Sequence, residues 1–290
     1  MNKKLDKIAK DTNSYLGNFI KKQKNSQLTS VMKYGLFPGG KKIRSKILID
    51  IGTMFSINYK LLIIIGAAVE CIHAYTLIHD DLPCMDDDEI RRGKPSTHIK
   101  FGEATAILAG NSLQTMACEI LSSSELKISE KIKLNLINKL SECSGHLGVA
   151  GGQYLDLSYE KKKVSKKQII DMEIKKTGKL FSFCCAAPAI IKDIKPKEIK
   201  FFEDMGSKIG LLFQISDDLI DFKGNSKIAG KKTGKDKKKG KATLINIFGH
   251  KNAVKYCDKI ILDINKQLKK YDTENKNIGE TLQYILNRKK

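Results

Sequence analysis

Leu61-Leu62-Ile63-Ile64-Ile65-Gly66-Ala67-Ala68-Val69-Glu70-Cys71-Ile72-His73-Ala74-Tyr75-Thr76-Leu77-Ile78-His79 runs without proline into Asp80-Asp81-Leu82-Pro83-Cys84-Met85-Asp86-Asp87-Asp88. Apolar and small residues fill nearly every position of the first part. Such all-round apolarity predicts a helix buried in the middle of the structure. Its end is the anomaly, because five aspartates fall within nine residues. Uncompensated burial of those charges is very costly, and the dipole at a helix C-terminus opposes them as well. A bound cation removes both objections. Pro83 biases Leu82 away from helix, so the chain should loop there and bring Asp86 back toward Asp80.

A second acidic cluster reads differently. In Phe213-Gln214-Ile215-Ser216-Asp217-Asp218-Leu219-Ile220-Asp221 the carboxylates fit a continuous helix. Asp217 and Asp221 lie one turn apart, with Gln214 one turn earlier on the same side. Carboxylate oxygens suit magnesium, which keeps several waters and is usually shared with substrate phosphates. Phosphates also need cations. Pro38-Gly39-Gly40-Lys41-Lys42-Ile43-Arg44 is a glycine turn opening into a helix, whose backbone N–H groups can approach a phosphate while Lys41 and Arg44 reach over it. Arg91-Arg92-Gly93 follows the first acidic cluster at once. These arginines either neutralise the neighbouring aspartates or, because adjacent side chains diverge, serve two different ligands.

The rest of the chain is helical in pattern. Ile128, Ile132, Leu136 and Leu140 make one helical face, and Ser165 with Gln168 makes a capping box at a helix start. The five prolines fall near expected element ends, and no alternating strand pattern is convincing. Lys223 to Lys241, rich in glycine and lysine, reads as a mobile surface loop within one all-α domain spanning 1–290.

Composition sets outer limits. At 290 residues and 41% hydrophobic content the chain can bury a sizeable core. A charged start and no long apolar run predict a cytoplasmic protein without a secretory signal or membrane span. Seven cysteines without a C-x-x-C pair read as reduced core thiols. The net charge of +21 raises nucleic-acid binding. The lysines are scattered, however, and no aromatic-rich RNA-binding motif accompanies them, so no nucleic-acid partner is expected. Only four of the 53 basic residues are arginine: Arg44, Arg91, Arg92 and Arg288. An arginine retained in so lysine-rich a chain marks a place that needs its planar fork.

Taken in order, Pro38–Arg44, Glu70–Gly93, Gly151–Leu157, Lys176–Gly178, Phe213–Asp221 and Gly230–Thr243 resemble the trans-isoprenyl diphosphate synthases, most closely the bacterial farnesyl diphosphate synthases. The resemblance implies a bundle of mainly antiparallel helices around a deep central cavity, usually a homodimer, with the two aspartate motifs facing each other across its mouth. It implies that Asp80, Asp81 and Asp86, with Asp217, Asp218 and Asp221, hold magnesium ions that bind an allylic diphosphate. Arg91, Lys176, Lys231 and Lys241 would contact that diphosphate. Gly40, Lys41, Arg44, His73 and Arg92 would hold isopentenyl diphosphate. Lys176-Thr177-Gly178 and Gln214 would line the allylic cation, presenting the Thr177 hydroxyl and Gln214 carbonyl as negative dipole ends. A mid-helix Gly178 costs about 1 kcal/mol against alanine, which suggests a kink or close packing. Tyr75, with Thr76 beside it, would set a fifteen-carbon product, with twenty carbons as runner-up. Two positions depart from the family: Lys42 stands where arginine is common, and Ser45 where proline is common. The rivals are an inactive partner subunit and a polyanion-binding module.

Overall fold

The computed structural model describes residues 1–23, 25–222, 244–271 and 276–288. The loop expected at Lys223 to Lys241, with Lys231 and Lys241, lies outside the described residues. Described residues are overwhelmingly α-helical, and among them the only strand pairing is a two-residue hairpin, Ile90–Arg91 (β1) with Lys94–Pro95 (β2). They divide into two compact units: Asn2–Ile49 with Ile57–Ile137, and Met1 and Asp50–Ser56 with Asn138–Lys290.

In the first unit the expected buried helix is α4, Tyr59–Asp80, capped by Asn58, whose side chain accepts from the Lys60 N–H at 2.9 Å. Around it pack α1 (Asn2–Lys21), α2 (Gln27–Leu36) and α6 (Glu103–Ser122). In α1 the buried positions Leu5, Ile8, Thr12, Leu16 and Ile20 form a stripe at helical spacing. Each Leu or Ile buried this fully contributes about 1.5–3 kcal/mol. By length and composition α4 could cross a membrane, which the expectation of short apolar runs overlooked, but 83% of its apolar span is buried inside the protein.

The second unit is organised on α11, Pro196–Phe222, a continuous helix with proline at its first position. Helix α10, Lys179–Ile191, lies along it. The two approach so closely that a Cβ on Gly210 would come within 2.4 Å of the Gly178 Cα, and one on Gly206 within 2.4 Å of the Phe181 carbonyl. An aromatic group of Phe55, Phe201, Phe202 and Tyr271 fills one end, with ring centroids 5.2–6.3 Å apart. Thr281 donates to buried Asp50 at 2.7 Å.

Local readings are corrected in two places. Helix α7, Glu130–Ser144, starts after Ile128, because the Ser129 side chain accepts from the Ile132 N–H and caps it there. Pro188 lies inside α10 rather than at an end. The capping box of Ser165 and Gln168 is present at the start of α9, Lys166–Glu173.

Candidate active site

At the end of α4 the chain folds back on itself. The Asp86 N–H donates to the Asp80 carbonyl at 2.8 Å, and the Asp88 N–H to the Asp81 carbonyl at 3.1 Å. Asp86 thus returns to Asp80, as Pro83 suggested, and both stay partly exposed. Asp81 is buried, and Arg91 grips it with Nε at 3.0 and 3.2 Å from its two oxygens. Burial pushes the Asp81 carboxyl above its ordinary value, and the Arg91 guanidinium pulls back against that. Arg91 also reaches Asp88 at 3.4 Å.

The hairpin turn separates the two arginines. Arg92 and Gly93 have φ of 53° and 77°, the left-handed pair that a two-residue hairpin turn requires. Arg91 therefore serves the acidic loop, while Arg92 crosses to donate to the Gly39 carbonyl. Gly40 is needed for its φ of +110°, and a Cβ there would meet the flexible end of Arg92 at 2.4 Å and push it aside. Lys41 is exposed on this same loop, and Arg44 lies in the first turn of α3, Ile43–Met54. His73 is deep but partly open to solvent. Burial first, then the cations Arg44, Arg92, Lys42 and Arg91, hold its pKa well below the usual value. It is therefore neutral within a ring of positive charge, and a diphosphate is what such a ring attracts. On α4, Tyr75 is buried with its ring edge-on to His79 at 5.6 Å. The Thr76 hydroxyl donates to the His73 carbonyl at 2.8 Å.

The second unit holds the remaining candidates. Residues Ile174–Gly178 form one π-helical turn between α9 and α10. This is the expected irregularity at Gly178, and close packing accompanies it: a Cβ on Gly178 would meet the Ser207 carbonyl at 3.1 Å. Such single π turns often lie at functional sites. Lys176 on this turn pairs with Asp156 of α8, Val149–Tyr159. Thr177 donates to Gln214 Oε1 at 3.0 Å, and Gln214 Nε2 donates to Asp218 Oδ1 at 2.9 Å. The Gln214 carbonyl thus faces Thr177, whose hydroxyl occupies one of its two lone pairs. The reason is that the Asp218 carboxylate requires a donor, so the amide nitrogen must turn toward it. Lone pairs of the Thr177 oxygen remain available. Asp217 is 48% exposed and pairs with Arg288 Nη2 at 2.6 Å, while the Arg288 guanidinium lies 3.8 Å from the centroid of the Phe213 ring. Asp221, one turn on, is partly exposed.

Arg288 and Asp156 carried no role in the sequence reading. Arg288 had a signal, as one of four retained arginines. Asp156 lay in a matched segment but pointed to no partner.

Among the described residues no three carboxylate, imidazole or thiol groups converge as a closed metal cage. The donor set still suits magnesium, a hard cation that takes oxygen ligands, because these carboxylates are partly exposed.

The sequence matches the description of the polyprenyl synthetase family over residues 25–283. The chain belongs to that family. Over 99% of its length this polyprenyl synthetase is 37% identical to the farnesyl diphosphate synthase of Escherichia coli K12, covering 98% of that protein. Among solved structures, an FPP/GFPP synthase from Zymomonas mobilis superposes with a TM-score of 0.86 at 31% identity, covering 98% of this chain and all of that one. A Helicobacter pylori geranyltransferase complexed with magnesium and isoprenyl diphosphate gives 0.80 at 29% identity, covering 96% and 95% of the two chains. The polyprenyl synthetase segments that carry Lys41, Asp80, Lys176 and Asp217 all fall inside the matched range.

Proposed function

We propose that this enzyme condenses isopentenyl diphosphate with dimethylallyl and then geranyl diphosphate to make farnesyl diphosphate. The divergence of Arg91 and Arg92 carries the reading. Neighbours in sequence, they serve an acidic loop suited to a metal-bound diphosphate and a cationic loop suited to a metal-free one. A cyclase that ionises a single diphosphate has no use for the second cradle.

Magnesium bound at each cluster, by Asp80 and Asp86 and by Asp217 and Asp221, would neutralise the departing allylic diphosphate. Asp81 and Asp218 hold Arg91 and Gln214 behind those ligands. Arg91 and Lys176, with Lys231 and Lys241, bind the same diphosphate. The allylic C–O bond breaks with its electron pair on the leaving group. Isopentenyl diphosphate, held by Lys41, Arg44, Arg92 and neutral His73, attacks the cation through its double bond, and the released diphosphate takes the proton that is lost. Thr177 lines the cation with its oxygen lone pairs.

The whole chain is read as one catalytic domain, cytoplasmic and homodimeric. For the dimer, α6 offers a face: Ile107 and Leu108 are 41% and 55% exposed. No charge occurs from Ala104 to Cys118, although 29% of the chain is charged. An uncharged exposed helix in such a chain suits contact with a second copy. Leu108→Glu should shift sedimentation toward the monomer; an unchanged dimer places the interface elsewhere.

Product length tests the substrate reading. With labelled isopentenyl diphosphate and magnesium, chromatography of the dephosphorylated alcohols should show fifteen carbons. No condensed product would end the proposal, and a twenty-carbon main product would end its farnesyl part. One helical turn rises roughly 5.4 Å, near one isoprene unit; Thr76 lies about one turn before Asp80, and Tyr75 one residue further back, at a rise of about 7.5 Å. Tyr75→Ser should lengthen the product, and Thr76→Phe should shorten it toward ten carbons. Unchanged lengths in both variants place the floor elsewhere.

A further inference from the structure

Glu70 has no part in the chemistry above, yet its surroundings are unusual. It lies on α4 one turn before His73, and its side chain is 4% exposed. Each of its carboxylate oxygens has a donor from the start of α3. Lys42 Nζ lies 3.4 Å from Oε2, and Ser45 Oγ lies 2.9 Å from Oε1. Ser45 Oγ is also 3.3 Å from the Gly66 carbonyl, and that contact keeps it against α4. Lys42 itself is strained, with φ of 50°, and its side chain is 5% exposed. A left-handed lysine persists only where its surroundings hold it there.

Lys42 and Ser45 divide the two carboxylate oxygens between them. One arginine fork at position 42 would cover both oxygens of a carboxylate. A lysine ammonium here covers one, and proline at position 45 could cover none. Serine at 45 supplies the missing donor. Each donor directly follows a side chain assigned to the phosphate: Lys42 follows Lys41, and Ser45 follows Arg44.

We propose that Glu70 is a positioning residue for Lys41 and Arg44, and that Lys42 and Ser45 act as a matched pair in place of a single guanidinium. This rests on the reading that the loop holds isopentenyl diphosphate. A positioning role and a purely electrostatic one differ in sign. Glu70 is an anion among the cations Lys42, Arg44 and Arg92, so removing its charge should strengthen anion binding if charge were all that mattered.

Steady-state kinetics of the full-length enzyme decides between them. Glu70→Gln should raise KM for isopentenyl diphosphate about tenfold, leave the allylic KM within about twofold, and lower kcat less than threefold. A lower or unchanged KM for isopentenyl diphosphate overturns positioning, as does an equal rise in both. Should Glu70→Gln fail to fold, Ser45→Ala gives a milder test, because it removes one hydroxyl from a helix start. It should raise the same KM several-fold, and Lys42→Arg added to Ser45→Ala should restore it to within about twofold, since the fork covers both oxygens again. Additive effects in the double variant overturn the matched pair. Arg44→Ala separates the two levels. If it leaves KM for isopentenyl diphosphate unchanged, the site assignment falls and this proposal with it. If it raises that KM while Glu70→Gln does not, only the positioning proposal falls.

Discussion

Asp80→Ala is expected to lower turnover by at least about a thousandfold, which corresponds to roughly 4 kcal/mol of lost transition-state stabilisation. The fold should survive the change. Asp80 is the last residue of α4 and is partly exposed, in a place where the helix dipole disfavours a carboxylate. Thermal stability should therefore stay within about 1 kcal/mol of the parent, a typical scale for a surface charge at a helix end. This split between activity and stability is what a metal ligand predicts, whereas a structural carboxylate would lose both together. Asp81→Ala should differ, because it leaves partly buried Arg91 without its main partner and costs stability as well as rate. Rate assays with excess chelator, beside thermal melts of both variants, check the pattern. Near-normal turnover in Asp80→Ala, or a parent enzyme indifferent to chelation, would end the magnesium reading.

Gly152→Ala should be among the most damaging single-methyl changes in the second unit. A Cβ on Gly152 would lie 2.1 Å from the Lys176 backbone nitrogen and 2.4 Å from its Cα. Backbone cannot rotate out of the way as a flexible side chain would, so α8 and the π turn must separate. Overpacking of this kind costs about 3 kcal/mol or more. In a chain of this size that lowers the melting temperature by roughly 5–10 °C. The separation also pulls Lys176 from Asp156 and shifts Thr177, so kcat should fall alongside stability. Hydrogen exchange at 174–178 should rise before global unfolding. A melting temperature unchanged in Gly152→Ala would show that the two segments are not in backbone contact. Gly17→Ala is the control, because nothing lies within 4 Å of a Cβ there.

Features with a local cause could be read from sequence. The burial of α4 follows from its continuous apolar composition, the return of Asp86 toward Asp80 from Pro83, and the helix start at Ser165 from its cap. The second acidic cluster was legible as helix because its carboxylates keep the helical period. What could not be read was pairing across elements. Lys176 with Asp156 and Arg288 with Asp217 join residues twenty and seventy-one positions apart, whereas the pairing of Arg91 with a neighbouring aspartate was one of the two readings the sequence left open. Nothing in the spacing of a charge names its distant partner. The orientation of the Gln214 amide was out of reach for the same reason, since it depends on which neighbour requires a donor. The π turn was half legible. Gly178 marked the place, but its cause includes the approach of Gly152 and Gly210 from other helices.

The hairpin turn at Arg92 and Gly93 has a mechanical consequence. Arg91 and Arg92 flank one peptide bond, and that bond is a rigid plane. A backbone rotation at this turn therefore moves the roots of both side chains together, while each guanidinium can still turn about its own side-chain bonds. The two diphosphate cradles proposed above would thus share one backbone support. Enlarging one cradle by shifting that backbone would move the root of the neighbouring arginine, so altered specificity at one end should surface as altered affinity at the other.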